Sequence, residues 1–240
     1  MSIPFGLHLA TDLAATSTGS LCGYLFYRHA LTPAGFRLST QRDPGYLAWL
    51  AASALIGAFW FGTANLYFSG ISGIGRSAFG AIFGGICGVE IRKLAKGQSG
   101  STGVVFVVPL CVGMLLGRFG CLFAGMHDFT YGVPTSLPWA VDFGDGIPRH
   151  PAPLYESLAM TIVLTGFLLW FRRAPEACAR TGFPVFTAAY AVQRFCIEFT
   201  KPYGEVVAGL NVFQIGALLM LGYAAWMLRR YRASPARIHA

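Results

Sequence analysis

The sequence predicts an all-α polytopic membrane protein with seven transmembrane helices. Its N-terminus is expected outside (periplasmic) and its C-terminus inside (cytoplasmic). Three observations lead there. Charged residues make up 12% of the 240 residues and hydrophobic ones 55%, whereas a soluble domain carries roughly 25% charged residues. Apolar runs near the ~20 residues needed to cross a bilayer recur seven times. The basic residues fall mainly in alternate connections, which gives the runs a direction. An aromatic share of 15% excludes a disordered chain.

The first run is Phe5–Tyr27. No basic cluster precedes it of the kind that opens a cleavable signal, so it is expected to remain as a helix. The second is Tyr46–Phe68 and the third, short, is Ala78–Ile91. In the third, Gly80, Gly84 and Gly88 recur every four residues, so one helix face is bare and a neighbouring backbone can approach closely. The fourth is Val104–Phe123 and the fifth Pro151–Phe171. Between them lies the longest connection, Ala124–His150, broken into turns by Gly132, Pro134, Pro138, Gly144, Gly146 and Pro148. The sixth is Phe183–Thr200 and the seventh Val207–Leu228. One transmembrane domain over residues 1–240 is expected, with a periplasmic-side loop at about 124–150.

A net charge of +8 would suit a nucleic-acid binder in a soluble protein. Placement gives another account. Arg28, Arg37, Arg42, Arg92, Lys93, Lys96, Arg172, Arg173, Arg180, Arg229, Arg230, Arg232 and Arg237 all fall on one side of a seven-span arrangement. By the positive-inside rule that side is cytoplasmic. No nucleic-acid partner is required.

Five cations remain. Arg118 lies ~22 Å along a helix that starts on the inner side, so it sits in the outer half of the membrane. Its own helix face has no carboxylate, and a partner would come from Glu90, Glu156 or Glu198. Arg194 has Glu198 one turn on, on the same face. Arg76, Arg149 and Lys201 sit at the outer ends of spans. Charge at membrane depth faces a partner or a polar cavity. Guanidinium groups bind phosphate through paired hydrogen bonds and keep their charge when buried, and phospholipid headgroups supply phosphate at that depth. Structural ion pairing of Arg194 with Glu198, and snorkelling of Arg76 and Lys201, remain open alternatives.

The candidate bases are histidines. His8 and Asp12 are one helical turn apart, and a carboxylate beside an imidazole raises its basicity. His127–Asp128 are adjacent in the loop, and His150 follows Arg149. The six cysteines form no CxxC spacing and read as small buried hydrophobes. Asp142 and Asp145 are too few oxygens for a calcium loop, so no metal is assigned.

Four segments together resemble the prolipoprotein diacylglyceryl transferase family of bacterial inner membranes. They are Gly117-Arg118-Phe119-Gly120-Cys121, Arg149-His150-Pro151-Ala152-Pro153-Leu154-Tyr155-Glu156, Arg194-Phe195-Cys196-Ile197-Glu198-Phe199-Thr200-Lys201, and the glycine rhythm of Gly75–Gly88. The resemblance implies transfer of a diacylglyceryl group from phosphatidylglycerol to a lipobox cysteine thiol of a preprotein, with release of glycerol phosphate and no cofactor. It implies that Arg118 and Arg194 hold the headgroup, that Glu198 supports them, and that Tyr155 and Glu156 shape the site. Arg149, Arg76 and Lys201 complete the expected headgroup set, and Arg118, Arg194, His8 and His150 the expected catalytic set.

The sequence departs from the family pattern at several positions. Phe79 stands where the family has a histidine suited to thiol activation, Cys121 where it has asparagine, and Met126 near an expected glutamate. The headgroup-binding half of the pattern is kept and the acceptor-activating half is altered. The reading is a divergent phospholipid-dependent transferase whose membrane-anchored acceptor is either the family's lipobox cysteine or a different group, with His8, His127 or His150 as replacement base. The alternatives are a non-catalytic lipid- or partner-binding protein with the same fold and, without an internal repeat to support it, a transporter.

Overall fold

A computed structural model describes residues 5–36, 45–98 and 102–233, with side chains described from Leu9 to Tyr231 within those segments. Arg37, Arg42 and Arg237, and the side chains of His8 and Arg232, therefore lie outside the described residues.

Seven helices make up the described chain: α1 Phe5–Phe26, α2 Tyr46–Phe68, α3 Ala78–Ala95, α4 Val107–Ala124, α5 Ala152–Arg173, α6 Pro175–Glu198 and α7 Val212–Ala233. Four are long and apolar enough to cross a membrane: α2, α4 with its flanking turns (Gly103–Asp128), α5, and α7 over Val212–Tyr231. The outward faces agree. Leu13, Ile56, Trp60, Leu158, Ile162 and Leu219 are 60 to 71% exposed, an apolar coat that water would not tolerate and lipid does. The protein is an all-α, multi-pass membrane protein.

Packing follows the small residues. A Cβ added to Gly80 would collide with the Gly57 carbonyl, and one on Gly84 with the Ser53 carbonyl, so α2 and α3 touch backbone to backbone. This is the close approach expected of the third span's glycines. Helix α1 runs antiparallel to α4: a Cβ on Gly19 would lie 2.8 Å from the Pro109 carbonyl oxygen, and one on Gly23 the same distance from the Pro109 ring.

Helix ends are set by local chemistry. The Ser77 hydroxyl caps α3 by accepting from the Gly80 amide at 3.2 Å. Asn211 caps α7: its Oδ1 accepts from the amides of Phe213 and Gln214, both at 3.0 Å. Gln214 reciprocates, its Oε1 accepting from the Asn211 amide at 3.0 Å. This is the reciprocal capping box.

Two helix starts differ from expectation. Helix α6 begins at Pro175 rather than Phe183, because Pro fits the first helical position and Cys178, Ala179 and Gly182 are buried. Arg180 therefore lies within α6, donating to the Tyr231 carbonyl at 3.3 Å, and not in a loop. Helix α7 starts at Val212 rather than Val207. The residues before it form a hairpin of β3 Glu205–Val207 and β4 Leu210–Asn211, turned by Ala208 and Gly209 at positive φ. The cysteines also differ: Cys111 and Cys178 are buried, but Cys87 and Cys196 face outward.

The Ala124–His150 connection is ordered. A 3-10 turn, Gly125–Asp128, leads to a second hairpin of β1 Val141–Asp142 and β2 Pro148–Arg149. Asp142 Oδ1 fastens its turn by accepting from the amides of Gly144, Asp145 and Gly146. The loop is tied to the end of α6 where the Val133 amide donates to the Thr200 carbonyl at 2.8 Å.

Candidate functional site

The C-terminal ends of α4 and α6 and the N-terminal ends of α5 and α7 meet at one end of the bundle. Three of the family-motif cations converge there on Glu156. The Arg118 Nε lies 2.6 Å from Glu156 Oε2. On the other oxygen, Oε1, Arg194 Nη1 lies at 2.5 Å and Lys201 Nζ at 2.7 Å. Arg194 Nη2 also reaches Glu198 Oε1 at 2.9 Å, and Lys201 stands 3.6 Å from the same atom. Asn211 donates to Glu198 Oε2 at 3.1 Å, so the residue that caps α7 also anchors the cluster.

Glu156, Arg194, Glu198 and Lys201 are each at most 5% exposed. Arg118 is the more open member, with 14% of its side chain exposed. Its Nε is spent on Glu156, and its Nη1 reaches only the Cys121 sulfur, at 3.8 Å. Three cations face two carboxylates, so the cluster holds a surplus positive charge, and Arg118 has donors to spare. Tyr190 Oη, itself buried, has no hydrogen-bond partner and shares a narrow void with Arg118, Glu156 and Gln193. An unpartnered buried hydroxyl costs free energy, and the void beside it is too tight for a water molecule.

Phe79 sits over this cluster. It is 1% exposed and packs against Phe61, Tyr190 and Phe213. The Arg194 guanidinium carbon lies 4.4 Å from the Phe213 ring centre and 6.0 Å from that of Phe79. The position where the resemblance leads one to expect a proton acceptor is therefore an aromatic wall.

The remaining candidates group elsewhere. Arg149 donates from Nε and Nη2 to Asp145 Oδ2, at 2.9 and 2.6 Å, and lies over the Tyr131 ring. That bond holds the Asp145 carboxyl below the usual carboxylate range and raises Arg149. His150 Nδ1 meets the Tyr155 hydroxyl at 3.2 Å, and Trp139 Nε1 donates to the same oxygen at 2.8 Å. Since Trp139 can only donate, the tyrosine proton is free to point at His150. Arg76 is exposed ahead of α3. Sequence reading overlooked Asn211, Gln214, Tyr190 and Trp139 as partners. The Asn-x-x-Gln spacing of Asn211 and Gln214 was the available signal for two of them.

Fold and site together define a multi-pass membrane protein with a buried, cation-rich cluster at one end of its bundle. A family model described as prolipoprotein diacylglyceryl transferase matches residues 15–230. The phosphatidylglycerol–prolipoprotein diacylglyceryl transferase of Nitratidesulfovibrio vulgaris is 34% identical over 170 residues, 67% of this chain and 62% of that protein. The protein of the same name from Bordetella parapertussis is 35% identical over 55% of this chain and 53% of its own length. That from Methylococcus capsulatus is 38% identical over 50% and 47%. The chain belongs to the prolipoprotein diacylglyceryl transferase family. It spans about half to three fifths of the length of these relatives.

Proposed function

We propose that the chain is a phospholipid-dependent transferase. It moves a diacylglyceryl group from phosphatidylglycerol to a membrane-anchored acceptor and releases glycerol phosphate. The observation that carries this is the gathering of Arg118, Arg194 and Lys201 on Glu156, with Arg118 keeping unspent donors. In this reading Arg118 takes the phosphate oxygens first. Glu156 and Glu198 hold the guanidinium planes, and Arg149, Tyr155 and Arg76 shape the approach.

The acceptor thiol loses its proton, and its sulfur bonds to the terminal glyceryl carbon of the diacylglyceryl group. The bond from that carbon to the phosphate oxygen breaks, and the electron pair leaves with the oxygen as glycerol phosphate. Charge grows on the leaving oxygen, where fixed cations in a water-poor site stabilise it. Phe79 cannot take the thiol proton. The Tyr155–His150 pair can: the tyrosine oxygen accepts it while passing its own proton to His150 Nδ1. His8 and His127 are the other candidates.

Seven spans with the N-terminus outside set the cluster toward the outer leaflet of a bacterial inner membrane, within a single domain of residues 1–240. The test is purified protein with labelled phosphatidylglycerol, a lipobox peptide and other membrane acceptors, reading glycerol phosphate release and acceptor mass. Arg118→Ala and Arg194→Ala should each reduce release by at least ~100-fold, as removal of a transition-state donor does, while the protein still inserts. Undiminished release in both variants overturns the proposal. Phe79 favours a second reading, a lipid-binding member without turnover. Phosphatidylglycerol retained by the purified protein with no glycerol phosphate released would establish that reading.

A further inference from the structure

A second cavity lies at the other end of the bundle, between α2, α3, α4, α6 and α7. It has a volume of about 240 Å³. Its walls are apolar: Leu50, Ala54, Ile82, Ile86, Phe106 and Leu110. It follows α3 from Ala81 to Lys93, which is ~18 Å of helix rise. That is about the depth of one leaflet's hydrocarbon, ~15 Å. At the Ala81 end Phe79 and Ile82 are buried, and the aromatic wall separates the cavity from the ion cluster.

The far end is polar. Glu90 Oε1 accepts from Lys93 Nζ at 2.8 Å and from the Tyr223 hydroxyl at 2.9 Å. Tyr46 Oη and Thr102 Oγ1 pair at 2.9 Å. The Lys93 side chain is 8% exposed, yet its ammonium has three donors and one is committed to Glu90. The Glu90 Oε2 atom is left as an acceptor. The floor is thus neutral as a whole but offers a spare donor, a spare acceptor and two hydroxyls. An anionic head would meet the Glu90 carboxylate with no surplus cation. A cationic head would meet Lys93 with no surplus anion. A hydroxyl-bearing neutral head satisfies both.

We propose that this cavity is a binding site for a neutral, hydroxyl-headed, single-chain lipid of the monoacylglycerol class. The head rests on Glu90, Lys93, Tyr46 and Thr102, and the chain runs along α3 toward Phe79. The site is separate from the phosphate site and does not depend on transferase activity.

The test uses the full chain in detergent with a monoacylglycerol carrying a photoreactive group in its chain. Crosslinks mapped by mass spectrometry are expected on the Ala81–Val89 and Phe106–Leu110 segments. Filling the cavity with Ile86→Trp, or separately with Ala54→Leu, should lower that crosslinking at least fivefold, and Tyr46→Phe with Thr102→Val should weaken it at least threefold. On the unaltered protein, unlabelled monoacylglycerol should compete at least tenfold better than oleate or oleylamine, a readout that needs no variant to fold. Crosslinks spread over the outward faces of α2 and α5, or oleate or oleylamine competing as well as monoacylglycerol, would overturn the proposal.

Discussion

Glu156 receives three cations, and its loss should be felt twice. Glu156→Gln leaves Arg118, Arg194 and Lys201 with Glu198 as the one carboxylate of the cluster. Breaking a buried pair in this way costs about 3–5 kcal/mol, so the thermal unfolding midpoint in detergent should fall sharply. Turnover should fall with it. Arg194→Lys should fare little better than Arg194→Ala in the transferase assay. A single ammonium cannot reproduce the two-edged contact in which Nη1 meets Glu156 and Nη2 meets Glu198. Arg118, Glu156, Arg194, Glu198 and Lys201 were legible in the sequence because charge inside or beside an apolar run must find a partner. Tyr190 and Trp139 were not, since an aromatic residue in a membrane protein is ordinary and only its unfilled or shared hydrogen bond marks it. Arg149 was legible as a cation, but its engagement with Asp145 depends on a two-residue hairpin that no periodicity announces.

Elements of this bundle are held by close approach and by their ends. Gly57→Leu places a side chain against the Gly80 carbonyl and the Gly84 Cα, neither of which can yield. It should separate α2 from α3 and lower the unfolding midpoint, whereas Gly222→Ala, with open space around it, should leave it unchanged or raise it. Asn211→Ala removes the cap of α7, worth about 1 kcal/mol, and strips Glu198 of a donor, so it should reduce both stability and turnover. Gln214→Ala should cost stability alone. The β1–β2 hairpin responds to pH. Asp145 is held below its usual range by Arg149, so its stabilising bond is fully present above the ordinary carboxylate range, near pH 4, and is lost as pH falls through the lowered value. Amide protection factors across residues 140–149 should fall there and stay flat between pH 5 and 8. Helix existence was readable from apolar run length. The start of α6 was not, because Pro175–Gly182 is too polar for a hydropathy window. Its buried Cys178 and Ala179 emerge only once the helices pack.

At the level of the bundle, charge is segregated by end. The ion cluster occupies one end, and the Glu90–Lys93–Tyr223 group the other. The inner-side loops read from the sequence carry most of the cations. With the six native cysteines replaced, a cysteine introduced at Ser136 should be labelled by an impermeant maleimide from the outside of intact cells, and one at Gly97 only after lysis. The reverse pattern would invert the proposed orientation.

The partition of the buried charges among helices also bears on how the chain enters a bilayer. Arg118 and Glu156 belong to α4 and α5, consecutive helices that meet as an antiparallel hairpin. Arg194 and Glu198 lie one turn apart on α6 alone. Each of these units therefore carries a carboxylate partner for its own buried arginine. The links that join the units run from Arg194 and Lys201 to Glu156. The complete ion cluster thus requires α4, α5 and α6 in register, and it works as a latch on their assembly.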